Sequence, residues 1–328
     1  MMTVLVTGAG GQLGRCMEDA FDRVQGKQIQ FVLLNRRELD ITNREEIVKA
    51  LDEYKPNVVV NCAAYVKTDN AEDNRTIAYM VNAVGPTYLA IECKERNVGL
   101  IHISTDYVYD GMKTTAYIES DKCNPLNIYG VSKYCGEQAV RSIYPEAFII
   151  RTSWLYSEYG ENFLTKTISN IESSRDRGEN LYYVHDQIGC PTYAGNLADF
   201  IVKHLILHWE NAKCISGRTF HYTDAGIASR YDFAKAIEEE FGYEANYRRI
   251  FPCDSSDFED KAKRPQCCIL SKKRIRLIFD AELMDWRTAL RLCKERYAKI
   301  VPWQNRWDVF GWKPKDGLSE NYEQKKQD

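Results

Sequence analysis

The sequence predicts an α/β protein built on a doubly wound parallel sheet, with a smaller α/β lobe. Two observations lead to this fold class. Short apolar runs alternate with helical patterns through the N-terminal half, and a glycine-rich turn joins the first run to the first helix. Apolar strands that alternate with helices are typical of parallel sheets covered by helices on both faces. The C-terminal half is less regular, and we expect the lobe there.

Each element follows from its local pattern. The expected strands are the apolar runs at 3–6, 29–34, 58–60, 100–104 and 148–151. The expected helices of this half end near residue 21, span 44–54 behind the N-cap Asn43, run from about 73 to 91, and span 129–142. Further helical patterns lie at 162–173, 196–209, 229–241 and 285–300.

Composition excludes several classes of protein. The 328 residues carry 44 Lys and Arg against 47 Asp and Glu, a formal charge of -3, whereas proteins that bind nucleic acid by bulk electrostatics carry a basic surplus. No apolar stretch approaches the roughly 18 residues of a membrane span, and no basic segment precedes the first apolar run as in a signal peptide. The 11 cysteines form no C-x-x-C pair, which favours free thiols in a reducing compartment. We therefore expect a cytoplasmic protein with neither nucleic acid nor membrane as partner.

The glycine loop, residues 8–14, reads GAGGQLG and lies between the first strand and the first helix. Glycine lets the backbone turn sharply and approach a pyrophosphate, and the helix N-terminus then offers free N–H groups to the phosphates. This context predicts a Rossmann-type dinucleotide site. The expected contacts within the loop are Gly8, Gly10, Gly11, Gln12 and Leu13.

The end of the second strand bears on the choice of cofactor. An NAD-binding site usually carries an acidic residue there for the ribose 2′-hydroxyl, whereas this chain has Asn35, Arg36 and Arg37. A guanidinium would instead neutralise a 2′-phosphate, so the sequence favours NADPH, with NADH as the alternative. The arginines could equally be solvated surface residues. Asp40 and Ile41 follow and could meet the adenine edge.

Tyr129 and Lys133 lie at positions i and i+4, side by side on one face of an expected helix. A lysine ammonium beside a phenol stabilises the phenolate and makes the phenol a better acid near neutral pH. The run 104–107, reading STDY, ends the fourth expected strand and offers a hydroxyl to the same carbonyl oxygen. Because open α/β sheets bind ligands at the carboxyl ends of their strands, this grouping indicates reduction of a carbonyl group.

Several stretches resemble the extended short-chain dehydrogenase/reductases and, within them, the dTDP-4-dehydrorhamnose reductase family. They run in order from residue 4 to about 270 and include the glycine loop, 39–42, 60–65, 81–83, 104–111, 125–137, 151–154, 160–163, 184–192 and 264–265. The run 185–192, reading HDQIGCPT, is the part most specific to this family, whereas the glycine and Y-x-x-x-K patterns are shared by the superfamily.

The resemblance implies a role for each matched position. Thr105, Tyr129 and Lys133 would be catalytic: Tyr129 would give its proton to the sugar C4 oxygen, and Lys133 would bind the nicotinamide ribose. Further cofactor contacts would come from Cys62, Ala63, Ala64, Tyr65 and Asn82. Substrate contacts would come from Val66, Thr68, Thr105, Asp106, Tyr107, Tyr129, Trp154, Asn162, Phe163, Gln187 and, at the diphosphate, Arg264.

The chain departs from this family at two places. Cys16 stands where some members carry an acidic residue associated with a metal at a dimer contact, so we expect no metal and leave the state open between monomer and homodimer. The run 266–268, reading QCC, stands where the family usually has a serine, which leaves the nucleotide base open. His204 and His208 share a helix face but lack an H-E-x-x-H motif and a third ligand, so no zinc site is expected.

The resulting hypothesis is NAD(P)H-dependent reduction of the C4 keto group of dTDP-4-dehydro-L-rhamnose. One alternative is a reductase or epimerase of another nucleotide-linked deoxysugar. Another is a non-catalytic regulatory subunit resembling the β subunit of methionine adenosyltransferase, which the aromatic segment 303–312 would favour. The dinucleotide-binding domain is expected at 1–155 plus 182–215, the nucleotide-sugar-binding lobe at 156–181 plus 216–312, and a disordered tail at 313–328.

Overall fold

The computed structural model describes residues 1–24, 28–243 and 249–300. The aromatic segment at 303–312 and the expected tail at 313–328 lie outside the described residues.

The described residues form twelve strands, and six of these make up one parallel sheet. The strands are β1 (Met2–Thr7), β2 (Ile29–Leu34), β3 (Val58–Asn61), β4 (Gly99–Thr105), β5 (Phe148–Thr152), β6 (Leu155–Tyr156), β7 (Leu181–Val184), β8 (Ile188–Gly189), β9 (Thr192–Tyr193), β10 (Thr219–His221), β11 (Ala228–Ser229) and β12 (Ile250–Cys253). The sheet has the order β2-β1-β3-β4-β5-β10, and each neighbouring pair is parallel. Its interior strand β3 is buried along its whole length, as its Val-Val-Val run requires.

The helices cover both faces of this sheet and build the lobe. They are α1 (Gln12–Asp22), α2 (Arg44–Tyr54), α3 (Thr68–Asp73), α4 (Arg75–Tyr79), α5 (Gly85–Glu95), α6 (Ile128–Ile143), α7 (Phe163–Arg177), α8 (Ala194–Phe200), α9 (Trp209–Ala212), α10 (Arg230–Glu240), α11 (Lys273–Phe279) and α12 (Trp286–Ile300). A π-helical turn, Met80–Val84, joins α4 to α5, and another, Ile201–Ile206, extends α8.

Capping side chains set the start of two helices. Asn43 accepts a hydrogen bond from the Glu45 backbone N–H, as the sequence predicted for α2. Asn127 accepts one from the Gly130 backbone N–H and fixes the first turn of α6. That turn carries Tyr129, so the cap helps to position a candidate catalytic side chain.

Alternate residues of β1 belong to different cores, as expected for a sheet covered on both faces. Val4 and Val6 lie in a core that includes residues of α1 and α8, whereas Leu5 lies in a second core with α2 and α5. A third core, which includes Phe233 of α10 and Trp286 of α12, holds the lobe together. The predicted fold class, a Rossmann-type doubly wound sheet with a smaller lobe, is confirmed.

The pairing of strands differs from the predicted domain limits at two places. Residues 219–221 were assigned to the lobe, but β10 pairs with β5 and completes the sheet. Residues 182–184 were assigned to the sheet, but β7 pairs with β12 beside the lobe. Both strands are short. In the run Thr-Phe-His of β10, Phe220 is the single large apolar side chain, so no apolar pattern in the sequence marks this strand.

None of the helices in the described ranges combines the length and the apolar character that a membrane crossing demands.

Candidate active site

The glycine loop makes a tight turn directly after β1. Gly8 adopts φ +66°, a conformation that residues with a Cβ rarely adopt, and a Cβ there would lie 2.6 Å from the Ala63 backbone nitrogen. Only glycine lets this turn pack against the chain that leaves β3. The turn is held by a hydrogen bond from the Gly11 N–H to the Gly8 carbonyl at 3.0 Å.

The start of α1 suits a dinucleotide. Its N-cap, Gly11, provides no capping side chain, and the first turn holds no acidic residue, so the N–H groups and the positive end of the helix dipole are free for phosphates. Next to the loop lies a cavity of about 400 Å³. It is lined by Ala9, Gly10, Arg15, Glu18, Leu33, Asn35, Glu38 and Tyr159. Loop, helix end and cavity together fit the adenosine diphosphate half of NAD(P)H.

Two of the predicted loop contacts have other partners for their side chains. Leu13 is buried in the core beside β1, so its backbone alone faces the loop. The Gln12 side chain donates to the Leu155 carbonyl at 3.2 Å and ties the loop to β6.

The end of β2 places an acidic residue near the cavity that sequence spacing did not reveal. Glu38 accepts a hydrogen bond from the Asn35 backbone N–H at 2.8 Å and lines the cavity. Arg36 is 77% exposed and lies 3.6 Å from Asp40, outside that lining. Asp40 also accepts from the Thr42 hydroxyl at 2.8 Å, and Ile41 is buried. Arg15, across the cavity, is a second cation that the sequence analysis missed.

The segment after β3 is braced by a buried asparagine. Asn82 accepts from the Tyr65 N–H at 2.8 Å and donates to the Tyr65 carbonyl at 3.0 Å. The same amide donates to the Ser132 hydroxyl on α6 at 3.0 Å. Asn82 therefore ties Tyr65, at the end of the run Cys62–Tyr65, to the helix that carries Tyr129 and Lys133.

Thr105, Tyr129 and Lys133 converge at the carboxyl end of β4. The Thr105 side chain lies beside the Tyr129 phenol, and the Tyr129 ring lies edge-on to Tyr107 with centroids 5.6 Å apart. Lys133 is buried one helical turn later, where its ammonium donates to the Ile103 carbonyl at 2.6 Å. The three residues thus lie together at the end of β4, with the segment after β3 beside them.

The charges in this group differ from the sequence expectation. Burial raises the pKa of Tyr129 well above its usual value, and the neighbouring Thr105 side chain acts against this rise. Burial lowers the pKa of Lys133 to about 8, and Glu137 acts in the opposite direction. The predicted lowering of the phenol pKa by Lys133 is not what this geometry gives, because the ammonium is directed at the Ile103 carbonyl. The phenol is consequently fully protonated at neutral pH.

Asp106 is a buried carboxyl beside the catalytic candidates. It accepts from the Ser153 hydroxyl at 2.8 Å and from the Thr105 hydroxyl at 3.1 Å. Burial raises its pKa to about 6, and these hydrogen bonds oppose the rise. Asp106 therefore orients Thr105 and adds negative charge near the phenol, which also favours the protonated Tyr129.

Trp154 forms a strained wall beside this group. Its backbone has φ +45°, an outlier for a bulky residue, and such strain is concentrated at functional sites. The indole packs on Gly189, where a Cβ would lie 2.5 Å from the ring. Arg230, the first residue of α10, stacks on the same indole with the guanidinium carbon 3.6 Å from the ring centroid.

Arg230 is the main site residue that the sequence analysis missed. Its guanidinium also lies beside the Tyr107 phenol and 5.0 Å from the Phe163 ring centroid. Arg264, the predicted diphosphate contact, lies near it but already pairs with Asp69 at 2.6 Å and with Asp260 at 2.5 Å. No local pattern marks Arg230, because only the pairing of β8 with β11 brings the start of α10 to this wall.

The remaining predicted substrate residues lie in varied settings. The Asn162 side chain caps α7 and donates to the Ser157 carbonyl at 2.9 Å, so its polar atoms are engaged within the protein. Gln187 is buried, Val66 is exposed, and Thr68 is the first residue of α3. Across the described ranges, no group of three or more His, Cys, Asp or Glu side chains is arranged to hold a metal ion.

Comparison with known proteins agrees with this geometry. Residues 2–299 match the family model described as the RmlD substrate binding domain. The chain is 38% identical over 299 residues to the dTDP-4-dehydrorhamnose reductase of Aggregatibacter actinomycetemcomitans, covering 89% of this chain and 98% of that protein.

Solved structures give the same result. The chain superposes on a dTDP-4-dehydrorhamnose reductase from Clostridium acetobutylicum with a TM-score of 0.81 and 36% identity, over 90% of this chain and 99% of that one. It superposes on the Bacillus anthracis str. Ames reductase, solved in complex with NADP, with a TM-score of 0.80 and 34% identity, over 90% and 100% of the two chains. The chain therefore belongs to the dTDP-4-dehydrorhamnose reductase family and is an NAD(P)H-dependent oxidoreductase.

Proposed function

We propose that this chain reduces the C4 keto group of dTDP-4-dehydro-L-rhamnose to give dTDP-L-rhamnose, with NADPH as the reductant. The observation that carries the proposal is the convergence of Thr105, Tyr129 and Lys133 at the end of β4, beside a site that fits a dinucleotide. The substrate of the similar reductases and the NADP in the Bacillus anthracis structure support it.

Tyr129 would donate the proton to the C4 oxygen. Because burial keeps its phenol protonated at neutral pH, the proton is available, and transfer becomes favourable only as negative charge develops on the substrate oxygen. A reduced nicotinamide bound in the site would supply the hydride to C4. Asp106, which also accepts from the Ser153 hydroxyl, accepts from the Thr105 hydroxyl at the strand end, where Thr105 would orient the carbonyl.

Lys133 would bind the nicotinamide ribose through an ammonium already anchored on the Ile103 carbonyl. The glycine loop and the start of α1 would hold the pyrophosphate, and Arg36 together with Arg15 would meet a 2′-phosphate. In this arrangement the sheet binds the cofactor and the lobe binds the nucleotide sugar, with Arg230 as the nearer cation for the diphosphate.

The decisive assay follows loss of NADPH absorbance with the 4-keto sugar, for the wild type and for Tyr129→Phe. Loss of a general acid lowers turnover by about 10²–10⁴-fold. Tyr107→Phe is the matched control, because it removes a neighbouring phenol hydroxyl that the proposal does not use as an acid; its turnover should stay within about tenfold of wild type. Wild-type turnover in Tyr129→Phe would refute the proton donor.

The alternatives make different predictions. A thermal-shift panel of dTDP, UDP, GDP and CDP should show the largest shift with dTDP, and a larger shift with another nucleotide would point to a different nucleotide-linked deoxysugar. A chain that turns over no sugar but binds a stoichiometric protein partner would instead be a non-catalytic subunit.

A further inference from the structure

A buried carboxylate lies one helical turn beyond Lys133. Helix α6 carries Tyr129, Lys133 and Glu137 at successive turns, and the Glu137 side chain is fully buried. Its Oε2 accepts from Arg151 Nη2 at 2.6 Å, and its Oε1 accepts from Arg151 Nε at 2.9 Å. Arg151, on β5, is 1% exposed. The pair is therefore a dry, bidentate ion pair beneath the candidate catalytic helix.

The same carboxylate also reaches the strand that carries Thr105. Ser104, the residue before Thr105 on β4, donates its hydroxyl to Glu137 Oε1 at 2.5 Å. Arg151 in turn donates through Nη1 to the Tyr109 hydroxyl at 2.7 Å. One side chain of α6 is thus bonded to β4 and β5, and these bonds fix how far Tyr129 lies from Thr105.

Glu137 acts on the charge of Lys133 as well. Desolvation disfavours the buried ammonium, whereas Glu137, one turn later on the same helix, favours it. Burial and the nearby Lys133 ammonium both lower the pKa of His102, on β4, so this imidazole stays neutral. Cys62 is itself kept protonated, since burial raises its pKa to about 12. Glu137 is therefore the formal negative charge that supports Lys133.

We propose that Glu137, held by Arg151 and Ser104, is a positioning residue for the reduction: it sets helix α6 against the end of β4 and keeps Lys133 in its charged form. The inference rests on the proposed function, in which the ammonium binds the nicotinamide ribose. Glu137 touches neither substrate nor cofactor and acts through Lys133 and Ser104.

The test must separate this role from simple stability. Glu137→Gln leaves the Arg151 charge buried without a counter-ion and is expected to fold poorly. The double variant Glu137→Gln/Arg151→Met removes both charges together, which proteins tolerate far better. Ser104→Ala removes only the bond to β4 and leaves every charge in place.

The charge role is read from NADPH binding, followed by nucleotide fluorescence across pH without any sugar. Wild-type affinity should fall as pH rises through about 8, where Lys133 loses its proton, and Lys133→Met should abolish this dependence. In the double variant the midpoint should move down by about one pH unit, equivalent to a tenfold weaker hold on the proton. A midpoint that coincides with that of the wild type overturns the charge role.

The positioning role is read from turnover. Ser104→Ala should lower kcat by about tenfold, with KM and the midpoint of NADPH binding unchanged, because its loss affects the approach of Thr105 to Tyr129 and not the charge of Lys133. Wild-type kcat in Ser104→Ala overturns this part. Because the binding readout needs no sugar, it remains informative even where the proposed substrate is wrong.

Discussion

Replacement of Gly8 by alanine should destabilise the free protein, and the structure sets the size of the effect. Gly8 has φ +66°, and a left-handed backbone costs an L-residue about 1–2 kcal/mol. The new Cβ would lie 2.6 Å from Ala63 N, 2.7 Å from Ala63 Cα and 2.9 Å from the Cys62 carbonyl carbon. All three are backbone atoms and cannot rotate away, and overpacking of this kind costs about 1–3 kcal/mol.

The two terms together amount to about 2–5 kcal/mol, which should lower the melting temperature of a 328-residue protein by roughly 3–7 °C. Differential scanning calorimetry without cofactor measures this directly. Gly10→Ala is the matched control within the same loop. Its Cβ would meet only Asn35 Cβ, at 3.5 Å, an ordinary contact, so the melting temperature should stay within about 1 °C of wild type.

Gly10→Ala should affect the affinity for NADPH rather than the stability of the free protein. The protein itself leaves room for a Cβ at Gly10, so any loss of NADPH affinity in Gly10→Ala would come from the phosphates that approach the loop. A Gly8→Ala protein that melts with the wild type, or two variants with equal losses of stability, would refute the argument that Gly8 is required by its contact with the segment after β3.

Three further predictions follow from single contacts in the site. Arg230→Met should raise KM for the dTDP sugar by about 10–100-fold in steady-state assays, the value of one charge-assisted contact, whereas Arg264→Met should have a smaller effect because two carboxylates already neutralise Arg264. Glu38→Gln should raise the ratio of NADPH to NADH affinity by about tenfold in fluorescence titrations, because a carboxylate beside a 2′-phosphate is repulsive. An unchanged ratio in Glu38→Gln, together with a changed ratio in Arg36→Ala, would contradict this. Because burial raises the pKa of Asp106 to about 6, the folded state takes up a proton from about pH 4 to pH 6 that the unfolded chain does not, so the free energy of unfolding should fall as pH rises through that window. Asp106→Asn should remove this dependence in thermal melts across pH, and an unchanged slope would show that another group causes it.

Local chemistry made much of the fold predictable from the sequence. Asn43 caps α2 as expected, because an asparagine before an acidic first turn satisfies the free N–H groups wherever the helix lies. The alternation of apolar strands and helices predicted the sheet for the same reason, since burial on both faces requires continuous apolar runs.

Features that depend on contacts between distant segments were not predictable. Strand β10 pairs with β5 although Phe220 is its single large apolar residue, so its sequence does not reveal the pairing. Arg230 reaches the Trp154 ring only because β8 pairs with β11. Spacing correctly placed Tyr129 and Lys133 on one helix face. It could not reveal that the ammonium is bound to the Ile103 carbonyl, because that acceptor belongs to another strand.

The route of the chain between its two halves has a consequence for cooperativity. After β5 the chain crosses from the core of the sheet to that of the lobe along β6 and returns along β9, and these two strands pair with each other. It crosses again after Tyr222, returns at α11 and leaves once more at Trp286. Neither half is a continuous piece of chain. Each half therefore needs segments that are synthesised after parts of the other, and neither can be completed on its own. We expect one calorimetric transition for the whole protein rather than two.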